Sequence, residues 1–222
     1  MELVTVTTSD YVRLHGLYSA SSATTRTAVS KGSIDAAVIV HGIGGNFYSS
    51  RLLNHVADTL KLLGISVVRI NTRGHDMVNA ISWSGQARTV GSAFENVDHC
   101  RLDLLAWHDF LLDRGHDNVL FVGHSLGAIK ALYSAAKDPP AKLRAIIALS
   151  PSRLSYSRML ITSSDGLFRD TYQRCERLVK SGQGHEPVSV EFPVSAWMTP
   201  NCYLDKYGPA ERYNWLTFIE QV

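Results

Sequence analysis

Four short apolar runs punctuate the first two thirds of the chain: Ala36 to Val40, Ile65 to Ile70, Val119 to Val122 and Ala145 to Leu149. Each is aliphatic or β-branched and nearly continuous rather than alternating, as expected of a strand covered on both faces. Between them the periodicity lengthens. Phe47 to Leu63 carries Leu52, Leu53, Val56, Leu60 and Leu63 at three- and four-residue steps. Val90 to Leu112 repeats this with Val90, Phe94, Val97, Leu104, Leu105, Leu111 and Leu112 before Gly115 closes it. Both predict amphipathic helices. Leu126 to Ala136 predicts a shorter, small-residue helix that Pro139 and Pro140 end. Ahead of all this, Leu3 to Thr7 and Val12 to Tyr18 flank Thr8, Ser9 and Asp10 and read as an opening antiparallel hairpin. Ser19 to Ser33, rich in Ser, Thr and Ala, reads as an exposed connection.

Strands alternating with helices imply right-handed crossovers, hence an α/β fold with a mostly parallel central sheet and helices on both faces. Residues 1–150 are expected to form this core. After Ser150 the alternation lapses: Asp165 to Val179 reads as an amphipathic helix and Pro187 to Val194 as an extended piece. Thr199 and Pro200 read as a helix cap and first helical position before Gly208 and Pro209. Residues 151–222 are expected to form a small helical lid. Ligands of parallel sheets sit at the carboxyl ends of strands, so motifs that directly follow strands carry the most weight.

Directly after Val119 to Val122 stands Gly123-His124-Ser125-Leu126-Gly127, followed at once by a helix. A Gly-X-Ser-X-Gly turn between strand and helix strains the serine backbone and exposes its hydroxyl, which makes Ser125 a candidate nucleophile. Gly127 sits where glycine costs about 1 kcal/mol against alanine, so close packing is the reason to expect it there. The bland alternative is a structural turn. A second glycine-rich turn, His41-Gly42-Ile43-Gly44-Gly45-Asn46, follows the run Ala36 to Val40. Alone it is equally suited to cradle a phosphate. Paired with the serine turn, it supplies backbone N–H donors for an oxyanion: Leu126 and Ile43, with Gly44 the alternate for the second. His41, Gly42, Gly44 and His124 are expected to border the substrate.

These two motifs, in this order, resemble the α/β-hydrolase family. Asn71-Thr72-Arg73-Gly74-His75-Asp76 is similar to that family's Asp-X-Arg-Gly-X-Gly loop, departing from it at Asn71 and Asp76. For Arg73, His75 and Asp76 loop bracing is the expectation and substrate contact the alternative. The resemblance covers Glu2 to Ser150 well and the rest loosely. It implies hydrolysis of a carboxylic ester, thioester or amide through an acyl-enzyme on Ser125, without cofactor. Acyl transfer to an alcohol or amine uses the same residues. Apolar side chains such as Met159, Leu160, Phe168, Tyr172 and Trp197 either line an acyl pocket or merely cover the sheet.

The resemblance also implies two further strands after the lid, one ending in the catalytic acid and one in the histidine base. The sequence closes at Val222, with Tyr213 to Val222 expected as the helix leading into the first of them. The expectation is a C-terminally truncated hydrolase, impaired or inactive, unless His185 or His75 reaches Ser125. A non-catalytic binding module that keeps the fold is the alternative from a different class. Loss of the last strands would leave Ala145 to Leu149 as an apolar sheet edge, open to self-association.

Composition narrows the partners. Of 222 residues 45% are hydrophobic and 19% charged, enough for one soluble domain with a substantial core. Lys+Arg 22 against Asp+Glu 20 gives a formal charge of +2, with no basic segment, so neither nucleic acid nor an anionic membrane is an expected partner. A small acyl molecule is. The first ten residues lack a signal-peptide pattern, and a cytoplasmic protein is expected. Cys100, Cys175 and Cys202 lie far apart and read as buried free thiols, and the nine histidines show no metal-ligating pair.

Overall fold

The computed structural model describes residues 1–21, 33–163 and 165–222. Most of the connection expected at Ser19 to Ser33 lies outside the described residues. Strand β1 (Glu2–Thr7) pairs antiparallel with β2 (Arg13–Ser19), the hairpin expected from the sequence. Their residues alternate between exposed and buried, so one face of this hairpin meets the core and the other meets water. Strands β3 (Ala36–Val40) and β4 (Ser66–Ile70) are almost wholly buried, as continuous apolar runs should be. With the strands Val119–His124 and Leu143–Leu149, labelled β7 and β8 in chain order, they complete a six-stranded sheet ordered β1-β2-β4-β3-β7-β8. The four strands from β4 to β8 run parallel, and β2 joins β4 antiparallel.

Helix α1 (Arg51–Leu62) is capped by Ser50, whose hydroxyl accepts from the Leu53 N–H. Its Leu53, Ala57 and Leu60 pack on Ala37, Ile39, Leu120 and Val122, one face of the sheet. The other face, carrying Ala36, Val38, Val40 and Phe121, is covered by α2 (Cys100–Asp113) through Leu104, Trp107 and Leu111 and by α3 (Leu126–Lys137) through Ala131. The pleat thus sends alternate residues of β3 to opposite layers.

The long helix expected from Val90 to Leu112 is corrected. Val90 instead ends a hairpin, β5 (Asn79–Trp83) with β6 (Gln86–Val90), residues 91–96 are turn and loop, and only Cys100 onward is α-helical, after a single 3₁₀ turn at Val97–His99. Ser84 and Gly85 both take positive φ, 52° and 77°, the geometry of a two-residue hairpin turn.

Beyond β8 lie α4 (Tyr156–Thr162), α5 (Leu167–Lys180), the short hairpin β9 (Val188–Val190) with β10 (Ala196–Met198), and α6 (Pro200–Tyr207). α6 is capped by Thr199 and carries Pro200 in its first turn, as the sequence predicts. The last residues form 3₁₀ turns at Trp215–Thr217 and Ile219–Gln221 rather than the α-helix expected. This segment shares one apolar cluster with the sheet-covering helices: Phe168, Tyr172, Tyr203 and Tyr213 meet Leu126, Ile129, Leu132 and Tyr133 of α3. Polar ties add to it. The Thr199 N–H donates to the Ala93 carbonyl at 2.8 Å, and the Tyr213 hydroxyl donates to Asp205 at 2.8 Å while accepting from the Asp98 N–H at 3.0 Å.

Strand β8 ends the sheet, and no described residue pairs with its outer edge. Its composition is that of an interior strand, yet Ile147 is 43% exposed. All three cysteines are buried and free. Among the described residues no helix is long and apolar enough to cross a membrane.

Candidate active site

In the parallel pairing of β3 with β7, Val40 stands opposite Gly123, so both strands end at the same level. The loops that follow, His41 to Asn46 and Gly123 to Gly127, must therefore lie side by side. Ser125 stands immediately before α3, at its N-cap, with φ 54° and ψ −120°, a conformation that costs a side-chain-bearing residue on the order of 1–3 kcal/mol. Two glycines hold it there. A Cβ on Gly123 would lie 2.3 Å from the Gly127 carbonyl oxygen, and one on Gly127 would lie 2.4 Å from the carbonyl oxygens of both Val40 and His41. The Ser125 N–H donates to the Leu149 carbonyl at 2.9 Å, tying the turn to β8.

The Ser125 hydroxyl opens on a cavity of about 200 Å³ that Ile43, Leu126, Ser152 and Met159 also line. Leu126 is the first residue of α3, so its N–H has no partner within the helix. The Ile43 N–H likewise donates to no carbonyl among the described residues. The serine's own hydroxyl lies 3.3 Å from the Ser152 hydroxyl. Gly42 passes directly above, where a Cβ would come 3.2 Å from the Ser125 Cβ.

Of the residues expected to border substrate, His41, Gly42, Gly44 and His124 do not line the cavity. His41 is buried: its Nδ1 donates to the Gly42 carbonyl at 2.8 Å and its Nε2 accepts from the Thr72 N–H at 3.2 Å. Burial above all, with Lys130 nearby, pulls its pKa down to about 3, so it is a neutral brace of the glycine loop. Arg73, His75 and Asp76 also brace. Arg73 holds Asp103 and Asp10, His75 lies 2.8 Å from the Thr72 carbonyl, and Asp76 accepts from Asn46 at 2.7 Å. Of the apolar candidates, Met159 lines the cavity, Phe168 and Tyr172 are buried in the shared core, Leu160 packs against it, and Trp197 is exposed.

Beneath the glycine loop lies a charge cluster that the sequence does not announce. Glu95, buried, pairs with Lys130 of α3, and Lys206 of α6 stands 3.9 Å from its other oxygen. Burial raises the Glu95 carboxyl, but the two ammonium groups outweigh it and hold the pKa below the usual value. Burial dominates at Lys206 and lowers its pKa. Ser152, Arg153 and Lys206 all line the cavity and were not expected there. Ser152 alone had a usable signal, since it follows the end of a strand.

A model of the Alpha/beta hydrolase family matches residues 37–218. The chain belongs to that family. No curated protein matches the chain. Among solved structures, the α/β-hydrolase GrgF from Penicillium sp. aligns over 99% of this chain and 75% of its own, with TM-score 0.64 and 14% identity. Est1E from Butyrivibrio proteoclasticus, solved with ferulic acid bound, aligns over 91% and 70%, with TM-score 0.57 and 16% identity. Pf2001, an esterase from Pyrococcus furiosus, aligns over 80% and 56% in one crystal form, with TM-score 0.53 and 19% identity. The chain spans about half the length of the Pf2001 structures, 48% in one alignment and 56% in another. At these identities the likeness is one of fold, and the chemistry must be argued from the site.

In this family member all nine histidines are described, and none is hydrogen-bonded to Ser125. His75 is held by Thr72 and Asn79, and exposed His185 lies 3.4 Å or less from Asn201 on a different part of the surface.

Proposed function

We propose that this chain carries the acylation machinery of a serine hydrolase acting on a carboxylic ester, thioester or amide. The observation that carries the reading is the Ser125 backbone. A serine is held at positive φ between glycines that cannot be replaced, at the mouth of a cavity shared with two uncommitted N–H groups. In this mechanism Ser125 Oγ attacks the acyl carbon, the carbonyl oxygen takes up negative charge, and the N–H groups of Leu126 and Ile43 receive it. The tetrahedral intermediate collapses by breaking the bond to the alcohol, thiol or amine, which departs with a proton, and water then cleaves the acyl-enzyme to the carboxylic acid and free Ser125.

The hydroxyl proton requires an acceptor, and the Ser125 hydroxyl has only Ser152 as partner among the described residues. Removal of the histidine in other serine hydrolases slows turnover on the order of a millionfold, and this chain on its own is expected to be slow to that order. The same observation favours a second reading, a binding module that keeps the fold and cavity without turnover. A fluorophosphonate probe separates the two. Folded protein should be labelled slowly at Ser125, and Ser125→Ala should abolish the label. If wild type and Ser125→Ala label alike or not at all, the serine-hydrolase reading fails.

A further inference from the structure

The loop that carries the Ile43 N–H needs glycine to pass this close to Ser125: a side chain at position 42 would bring its Cβ to 3.2 Å from the serine Cβ. Glycine at 42 and again at 44 also leaves the peptide between Gly42 and Ile43 free to turn over. An oxyanion donor works best when its direction is settled before substrate arrives. The restraint has to come from a side chain.

His41 supplies it. Its Nδ1 lies 2.8 Å from the Gly42 carbonyl oxygen, which also accepts from the Gly45 N–H at 3.1 Å. The one cis peptide bond among the described residues is Phe192-Pro193, so the Gly42–Ile43 peptide is trans. In a trans peptide the N–H points opposite to the carbonyl, and the Ile43 N–H is therefore turned away from the imidazole. The far side of the ring decides where its proton sits. Nε2 lies 3.2 Å from the Thr72 backbone N–H, which can only donate, whereas the Gly42 carbonyl can only accept. A neutral imidazole satisfies both in a single tautomer, with the proton on Nδ1. Lys130 of α3 reinforces the choice. Its buried ammonium, held by Glu95, donates to the Thr72 hydroxyl at 3.0 Å and leaves that hydroxyl's own proton for Nε2, 3.3 Å away.

We propose that His41 is a positioning residue: kept in its Nδ1–H tautomer by Thr72 and Lys130, it holds the Gly42–Ile43 peptide so that the Ile43 N–H faces the acyl oxygen at Ser125. The use of that N–H rests on the serine-hydrolase reading; its direction does not. Because Lys130 belongs to the helix that directly follows Ser125, nucleophile and donor are both referred to α3.

Two amide variants separate this role from simple bracing. Asparagine attaches its amide nitrogen at Cγ, as histidine attaches Nδ1, and keeps a donor for Gly42. Glutamine carries its amide one atom farther out, toward the place of Nε2, and loses that donor. Full-length His41→Asn and His41→Gln are checked for folding by circular dichroism. The residual dipolar coupling of the Ile43 N–H, which reads its direction, should match wild type in His41→Asn and depart from it in His41→Gln. Fluorophosphonate labelling of Ser125 should slow about tenfold in His41→Gln, the upper range for one hydrogen bond, and stay within about threefold of wild type in His41→Asn. The nitrogen-15 imidazole spectrum needs no variant, and in wild type it should show a proton on Nδ1 and none on Nε2. Equal behaviour of the two variants, or a bare Nδ1 in wild type, overturns the proposal. Failure of the serine-hydrolase reading looks different: Ser125-dependent labelling is absent throughout, while the Ile43 coupling still separates the two variants.

Discussion

Ser125 is read from the sequence because what it needs is local. Its glycines stand two residues away on either side, and a strand and a helix flank the turn. Positive φ should leave a measurable trace. Ser125→Gly should be more stable than Ser125→Ala by about 1 kcal/mol in urea unfolding, since glycine alone is unstrained there. Equal stabilities would mean that the turn is not strained. Gly127→Ala should destabilise by about 3 kcal/mol or prevent folding, because its new methyl meets two backbone oxygens that no side-chain rotation can move. His41 shows where residue-level reading stops. A histidine beside a glycine loop suggests substrate contact, and only the placement of Thr72 reveals a brace. Its pKa falls from 6.5 to about 3 on folding, so between those values the unfolded chain binds more protons than the folded one. Stability should therefore drop as pH falls below 6.5, by up to about 1.4 kcal/mol per pH unit from this group. Urea unfolding at pH 7 and pH 5 should show a shallower loss in His41→Gln than in wild type. Equal losses would remove His41 from the account.

Elements with strong hydrophobic patterning were legible, and those shaped by their neighbours were not. The four apolar runs became the four parallel strands; β3, β4 and β7 are covered on both faces, as such a composition predicts, whereas no residue of β8 is buried. Strand β6 gave no such sign. Four of its five residues are exposed, and Val90, its buried end, falls in helical step with Phe94 and Val97, so the pattern merged two elements. The polar ties between elements were equally hidden. Glu95, Lys130 and Lys206 lie on a loop and two separate helices, and only packing joins them. Lys130→Met should cost about 3–5 kcal/mol by leaving the Glu95 carboxylate facing only the more distant Lys206. Adding Glu95→Leu should recover much of that loss in the same unfolding assay. Additive losses in the double variant would show that the two groups do not act as a pair.

At the scale of the whole molecule, the sheet is asymmetric in its protection. The β1 edge belongs to a hairpin with one face in water, whereas β8 carries Ala145, Ile146, Ile147 and Ala148 at an unpaired border. Such an edge invites pairing with another strand. We expect concentration-dependent association of the chain in sedimentation velocity, weakened by Ile147→Lys. A single monomer species at high concentration would count against it.

The segment after β8 is fastened to the rest as firmly as any layer of the core. Swinging it aside would wet Phe168, Tyr203 and Tyr213 at about 1.5–3 kcal/mol for each large side chain, and would also break the bonds at Thr199 and Tyr213. A door hung on one hinge is therefore the wrong image for access to Ser125. What reaches Ser125 has to come past the stretch of cavity wall that already faces solvent, where Arg153, Pro193 and Val194 are exposed.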